Sequence, residues 1–227
     1  AGMLLATVAC SEGPAAPPGE PDEPEPPVLA ALIVSEPVAQ ATTSGSTAAY
    51  VSLPPGSLPG YESVRIRNAT ADGRLGEPVA LSGGGFDPVG VAAETGDRLE
   101  LHFRLAGGAE VRRGASVPDR RPPVVLRTSP VEGEPNVAPA AAPSVVFSEP
   151  VDPGSFDGLS VWKGGVRLPA AVVLEDGRPW QVRLTLSAPM EPGAYALEVT
   201  RSVRDLDGDR PEVATTVVFA TTPAVEL

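Results

Sequence analysis

One cysteine and one histidine in 227 residues each close off a chemistry. Cys10 has no second cysteine to pair with, so no intramolecular disulfide can hold the fold. A tetrahedral zinc site needs three or four Cys, His or carboxylate ligands, and Cys10 with His102 falls short of that, so no metal is assigned with confidence. A Ser-His-Asp arrangement needs a histidine oriented by a buried acid beside an exposed nucleophile. His102 instead falls on the polar face of a predicted strand, between Glu100 and Arg104, where solvent is expected to surround it. The Gly-rich Ser82-Gly-Gly-Gly-Phe lacks the Gly-Lys-Ser/Thr ending of a phosphate loop and precedes a strand, so a hairpin or bulge is expected. Positive charge is scarce too. The net charge of −12 excludes nucleic acid and an anionic membrane surface as electrostatic partners, because both need a basic footprint. Nothing assembles a nucleophile, a base and a stabiliser, so neither enzymatic activity nor a cofactor is expected.

Proline and glycine are abundant. The 28 prolines and 24 glycines exceed a fifth of the chain and leave little room for long helices, since proline removes a donor and glycine costs about 1 kcal/mol in a helix. The ordered part is therefore expected to be all-β. A chain of this length holds two sandwiches of about 100 residues each.

Cys10 follows Leu4-Leu-Ala-Thr-Val-Ala, a short apolar run ending in small residues, as in a lipobox whose cysteine becomes the acylated N-terminus. Thr7 stands where leucine is commonest, and no Lys or Arg precedes Arg65, so residues 1–10 read as the remnant of a signal peptide. Residues 11–27 carry seven prolines, five acids and no bulky apolar side chain, too little to offset the entropy of ordering. They are expected to form a disordered, extended stalk of at most ~50 Å. Lipid attachment at Cys10, and with it a membrane anchor, is the expectation; a chance cysteine in an export segment, followed by a plain acidic linker, is the alternative.

Two folded units are expected, over residues 28–118 and 121–222, with Asp119-Arg-Arg-Pro-Pro as a short, stiff connector. In the first, Arg98-Leu-Glu-Leu-His-Phe-Arg-Leu alternates strictly, and Leu99, Leu101, Phe103 and Leu105 should face the core. The other expected strands there are Val28–Ser35, Thr47–Leu53, Glu62–Asn68, Pro78–Leu81 and Val89–Ala93. In the second unit, seven are expected: Val124–Thr128, Ser144–Ser148, Leu159–Trp162, Val166–Leu174, Trp180–Leu186, Ala194–Thr200 and Ala214–Ala220. Trp180, Val182, Leu184 and Leu186 should point inward, as should Tyr195, Leu197 and Val199.

The second unit opens with Arg121-Pro-Pro-Val-Val-Leu-Arg-Thr-Ser-Pro, continues through Val145-Val-Phe-Ser-Glu-Pro-Val-Asp-Pro, and closes with Val203-Arg-Asp-Leu-Asp-Gly-Asp and Val217-Val-Phe-Ala-Thr-Thr. In that order the pieces resemble the SbsA-type bacterial Ig-like domain, named after an S-layer protein. The resemblance implies an Ig-like sandwich and a bacterial source, and speaks to architecture far more than to activity. In outline only, the first unit resembles the small β-sandwiches of bacterial surface proteins and of the regulatory domains attached to carboxypeptidases.

Three places could carry chemistry. Asp205, Asp207 and Asp209 alternate as in the opening of a calcium loop, but Arg210 and Thr216 replace the glycine and glutamate that such a loop needs at its sixth and twelfth positions. A turn is the favoured reading and a weak cation site the alternative; in the resemblance Asp205 and Gly208 fall on a family turn. Glu149 and Asp152, each followed by proline, are expected at a solvated strand end, ionised and not paired for catalysis. Trp162, beside Lys163-Gly-Gly, is the one candidate platform for a ligand. The expected role is therefore a non-catalytic cell-surface lipoprotein whose modules act as spacer or adhesion domains. The alternative is an accessory module that binds polysaccharide or other surface proteins.

Overall fold

The computed structural model describes residues 30–39 and 46–222. Cys10 and the stalk at 11–27 lie outside these residues, as does the start of the Val28–Ser35 strand. The described residues are all-β and Ig-like, with one 3-10 turn at Pro153–Gly158.

The first sandwich has a sheet built on β3 (Thr47–Leu53). Along one edge of it run β1 (Ile33–Val34) and β2 (Val38–Ala39), and along the other β6 (Phe86–Ala92). Against it stands the sheet β5-β4-β7-β8, made of β4 (Tyr61–Asn68), β5 (Val79–Ala80), β7 (Arg98–Leu105) and β8 (Glu110–Ser116). Alternation on β7 buries Leu99, Leu101 and Phe103 completely. Val64 and Ile66 on β4 stand opposite Phe103 and Leu101, so each pair adds to one inner face. The seven residues of β8 escape the sequence pattern because only Val111 gives an apolar inward signal and Gly114 interrupts it.

The second sandwich stacks the sheet β13-β14-β10-β9 on β12-β11-β15-β16. The first is made of β9 (Val125–Ser129), β10 (Ser144–Phe147), β13 (Ala170–Glu175) and β14 (Arg178–Leu186). The second contains β11 (Leu159–Lys163), β12 (Val166–Arg167), β15 (Gly193–Val199) and β16 (Thr215–Thr221). Phe147, Val161, Val182, Leu184, Leu197 and Phe219 meet in its core, where the Tyr195 and Phe219 rings stack at 5.6 Å. Val166–Leu174, expected as one strand, is two. Leu168 N–H still reaches Val161 O at 2.8 Å, but Pro169 has no donor, and beyond it the chain crosses to the other sheet.

Trp180 corrects a second expectation. It keeps the inward parity of Val182 and Leu184, yet it is half-buried, outside the second core, and its ring lies 5.6 Å from that of Tyr50 in the first sandwich. The same junction holds a two-pronged pair, Arg127 Nε and Nη2 to the Asp87 carboxylate at 3.0 and 2.8 Å. The connector is tied on both sides: Arg121 N–H donates to Glu36 Oε2 at 2.6 Å, and the Arg120 guanidinium grips the Asp209 carboxylate.

Candidate functional site

Three buried carboxylates meet at this junction. Glu36 comes from the first sandwich, and Glu149 and Asp205 come from the second. One oxygen of each lies within 4.8 Å of the others.

Local chain geometry places each of them. Between β1 and β2 the register against β3 slips by one residue, so Ser35-Glu36-Pro37 forms a bulge, and the bulge turns Glu36 out of the ladder. There the Ser35 hydroxyl replaces the missing backbone acceptor and takes the Tyr50 N–H at 2.9 Å. Glu149 follows the end of β10 in the same tripeptide, Ser148-Glu149-Pro150, and the Ser148 hydroxyl likewise takes the Val124 N–H at 2.9 Å. Asp205 sits in the turn before β16. An isolated bridge pairs it with Val151, and Asp152 N–H donates to Arg204 O at 2.8 Å, which pins the turn against the Glu149 segment.

The electrostatics of the trio are unfavourable without a counter-charge. Glu149 is fully buried, and burial, reinforced by the charges of Glu36 and Asp205, pushes its pKa up to about 9, so it holds its proton at neutral pH. Burial also raises Glu36 and Asp205, with the Arg121 N–H partly opposing it at Glu36 and the turn's own N–H groups at Asp205. Asp205 Oδ1 accepts the N–H groups of Asp207 and Asp209 at 3.0 and 2.8 Å. Its other oxygen, Oδ2, and Glu149 Oε2 find no hydrogen-bond partner among the described residues.

The sequence-derived candidates fare differently. Asp205 is at the site, but Asp207 is exposed and Asp209 is held by Arg120, which keeps its carboxyl below the usual range. Those two therefore line the open cleft above the trio, beside Glu94 and Asp119. Glu149 is the opposite of the solvated, ionised group expected, because the neighbouring sandwich covers it. Asp152 caps the 3-10 turn through Gly154 N–H and pairs with Arg204, so the two carboxylates serve different structures. Glu36 was not anticipated. The signal was present: Ser-Glu-Pro-Val occurs twice, at residues 35–38 and 148–151, each after an apolar strand.

His102 is another correction. It is only 7% exposed, because the long side chains of its own face close over it. Its Nδ1 is 2.6 Å from Glu110 Oε1 and its Nε2 3.2 Å from Glu100 Oε1, with Arg67 and Arg112 completing the charged network. Neither ring nitrogen is hydrogen-bonded to a hydroxyl among the described residues. Trp162 is half-buried on the outer face of β11, and its indole N–H donates at 2.8 Å to both Ser160 Oγ and Glu198 Oε2. No other aromatic ring stacks beside it among the described residues.

Comparison with known proteins gives one family match, over part of the chain. Residues 119–221 match the family model of a bacterial Ig-like domain. The second sandwich is an Ig-like domain. No curated protein matches the chain. Among solved structures, the anomalous substructure of Titin-A168169 is similar at 12% identity, covering 84% of this chain and 98% of that one, with a TM-score of 0.28. A Bacteroides ovatus protein of the mixed-linkage glucan utilization locus, SGBP-B, in complex with a mixed-linkage heptasaccharide, is similar at 16% identity. That alignment covers 85% of this chain and 47% of that one, with a TM-score of 0.24.

Proposed function

We propose that this chain is a non-catalytic module of the bacterial cell envelope, with two sandwiches held as one rigid unit that spaces or presents a partner at the surface. The junction carries this reading: the Tyr50–Trp180 contact, the Arg127–Asp87 pair and the Glu36–Arg121 hydrogen bond all join the two units across a short linker. A spacer works by keeping a fixed separation, and a junction with an aromatic contact, an ion pair and a backbone tie restricts swing. The motifs from Arg121 to Thr222 support an SbsA-type assignment within the Ig-like group. A polysaccharide or protein platform at Trp162 is disfavoured, because the indole N–H a ligand would use is already bonded twice.

On this reading the unit is tethered through Cys10, acylated at the end of its export segment, with residues 11–27 as the stalk. Expressed behind a complete leader in a lipoprotein-processing bacterium, the parent should partition into detergent and carry the lipid mass, and Cys10→Ala should do neither. Identical partitioning of the two forms would remove the anchor from the account.

A further inference from the structure

We infer that Glu36, Glu149 and Asp205 form a binding site for a hard divalent cation of calcium size, which clamps the two sandwiches together. The ligand set is all oxygen, and its three members are the only buried acids among the described residues. A cluster of acids alone would mean little. Here two carboxylate oxygens, Glu149 Oε2 and Asp205 Oδ2, belong to residues 0% and 1% exposed and have no hydrogen-bond partner among the described residues, which is costly for any buried acceptor. A bound cation supplies the missing partner for both.

Calcium fits better than magnesium. Its oxygens sit 2.3–2.6 Å away in a flexible shell of six to eight, so one ion can bridge oxygens that lie within 4.8 Å of one another without moving the backbone. Magnesium demands shorter bonds in near-ideal octahedral geometry, which three oxygens fixed by separate chain segments meet less readily. The remaining ligands can be water, because the cleft lined by Asp207, Asp209 and Glu94 opens beside the trio and gives an acidic entry path.

This site differs from the Asp205, Asp207, Asp209 loop that the sequence suggests. It draws one ligand from each of three separate segments and one of its ligands from the other sandwich. It also does not depend on the spacer reading: a junction clamped by calcium would serve a binding module equally well.

The test uses the full chain stripped with chelator and titrated with calcium chloride by calorimetry, with thermal melts in parallel. A one-to-one isotherm with Kd at or below about 1 mM is expected. At tenfold that concentration the melting midpoint should rise by about 4 °C or more, and magnesium chloride should have a weaker effect. Glu149→Gln mimics the protonated acid in shape, so it should fold in chelator at least as well as the parent, yet bind calcium at least tenfold more weakly. Glu36→Gln keeps an oxygen for the Arg121 N–H and should lose affinity as well, which would place a ligand on the first sandwich. Asp207→Asn should bind like the parent. Absence of heat and of a melting shift at 10 mM calcium would overturn the inference. So would binding that survives Glu149→Gln and Glu36→Gln, or that disappears only with Asp207→Asn.

Discussion

Removing the Trp180 side chain tests the junction most simply, because Trp180 lies outside the second core and faces Tyr50. A tryptophan buries 150–250 Å² when enclosed. Half of that, about 100 Å² at ~25 cal/mol/Å², gives about 2.5 kcal/mol, an upper figure because the unfolded chain is itself partly collapsed. The ring pair adds about 0.5–1.5 kcal/mol beyond area. Trp180→Ala should therefore destabilise the full chain by about 3 kcal/mol in denaturant melts, while a separate fragment of residues 121–222 should lose much less. Trp180→Phe keeps the ring and removes an indole N–H that has no partner among the described residues, so it should cost under about 1 kcal/mol. A double-mutant cycle with Tyr50→Ala should give a coupling of about 1 kcal/mol. Additivity of the two alanine variants within ~0.3 kcal/mol, or a Trp180→Ala chain as stable as the parent, would refute a junction held by this pair.

Two further outcomes follow. The Asp97 carboxylate accepts from Glu94 N–H at 2.9 Å and from Asn68 Nδ2 at 2.6 Å, which holds its pKa below the usual value. Its contribution is therefore present above the unfolded pKa and lost as the pH falls through the folded one, and Asp97→Asn should flatten the acid limb of a stability-against-pH curve; an unchanged limb would reject the assignment. Residues 121–222 alone should fold cooperatively around the core of Phe147, Leu184 and Phe219, but with Trp180 emission shifted to the red because Tyr50 no longer covers it. A fragment lacking amide dispersion, or one with the parent's emission, would count against that.

What could be read from the sequence was whatever depends on neighbours within one strand. The alternation of Leu99, Leu101 and Phe103, or of Tyr195, Leu197 and Val199, reports its own burial, because period 2 puts every second side chain on the inner face. Burial imposed by another element left no such trace. Glu149 and Glu36 look like solvated strand-end acids until the two sandwiches close over them. His102 sits on a polar face whose long charged chains then cover it. Trp180 follows the core pattern of β14 but lies past the end of that core, and β8 was too polar to stand out. The split at Pro169 was legible in principle, since proline cannot continue a ladder, but an apolar stretch spanning it hid the change of sheet.

The most direct measurement is of residual dipolar couplings for backbone amides across both sandwiches, on the full chain in calcium-containing buffer. If the junction makes one rigid body, a single alignment tensor will fit the couplings from residues 46–118 and 121–222 together. If each sandwich requires its own tensor, with different magnitudes, the two units move independently and the rigid-spacer account is wrong.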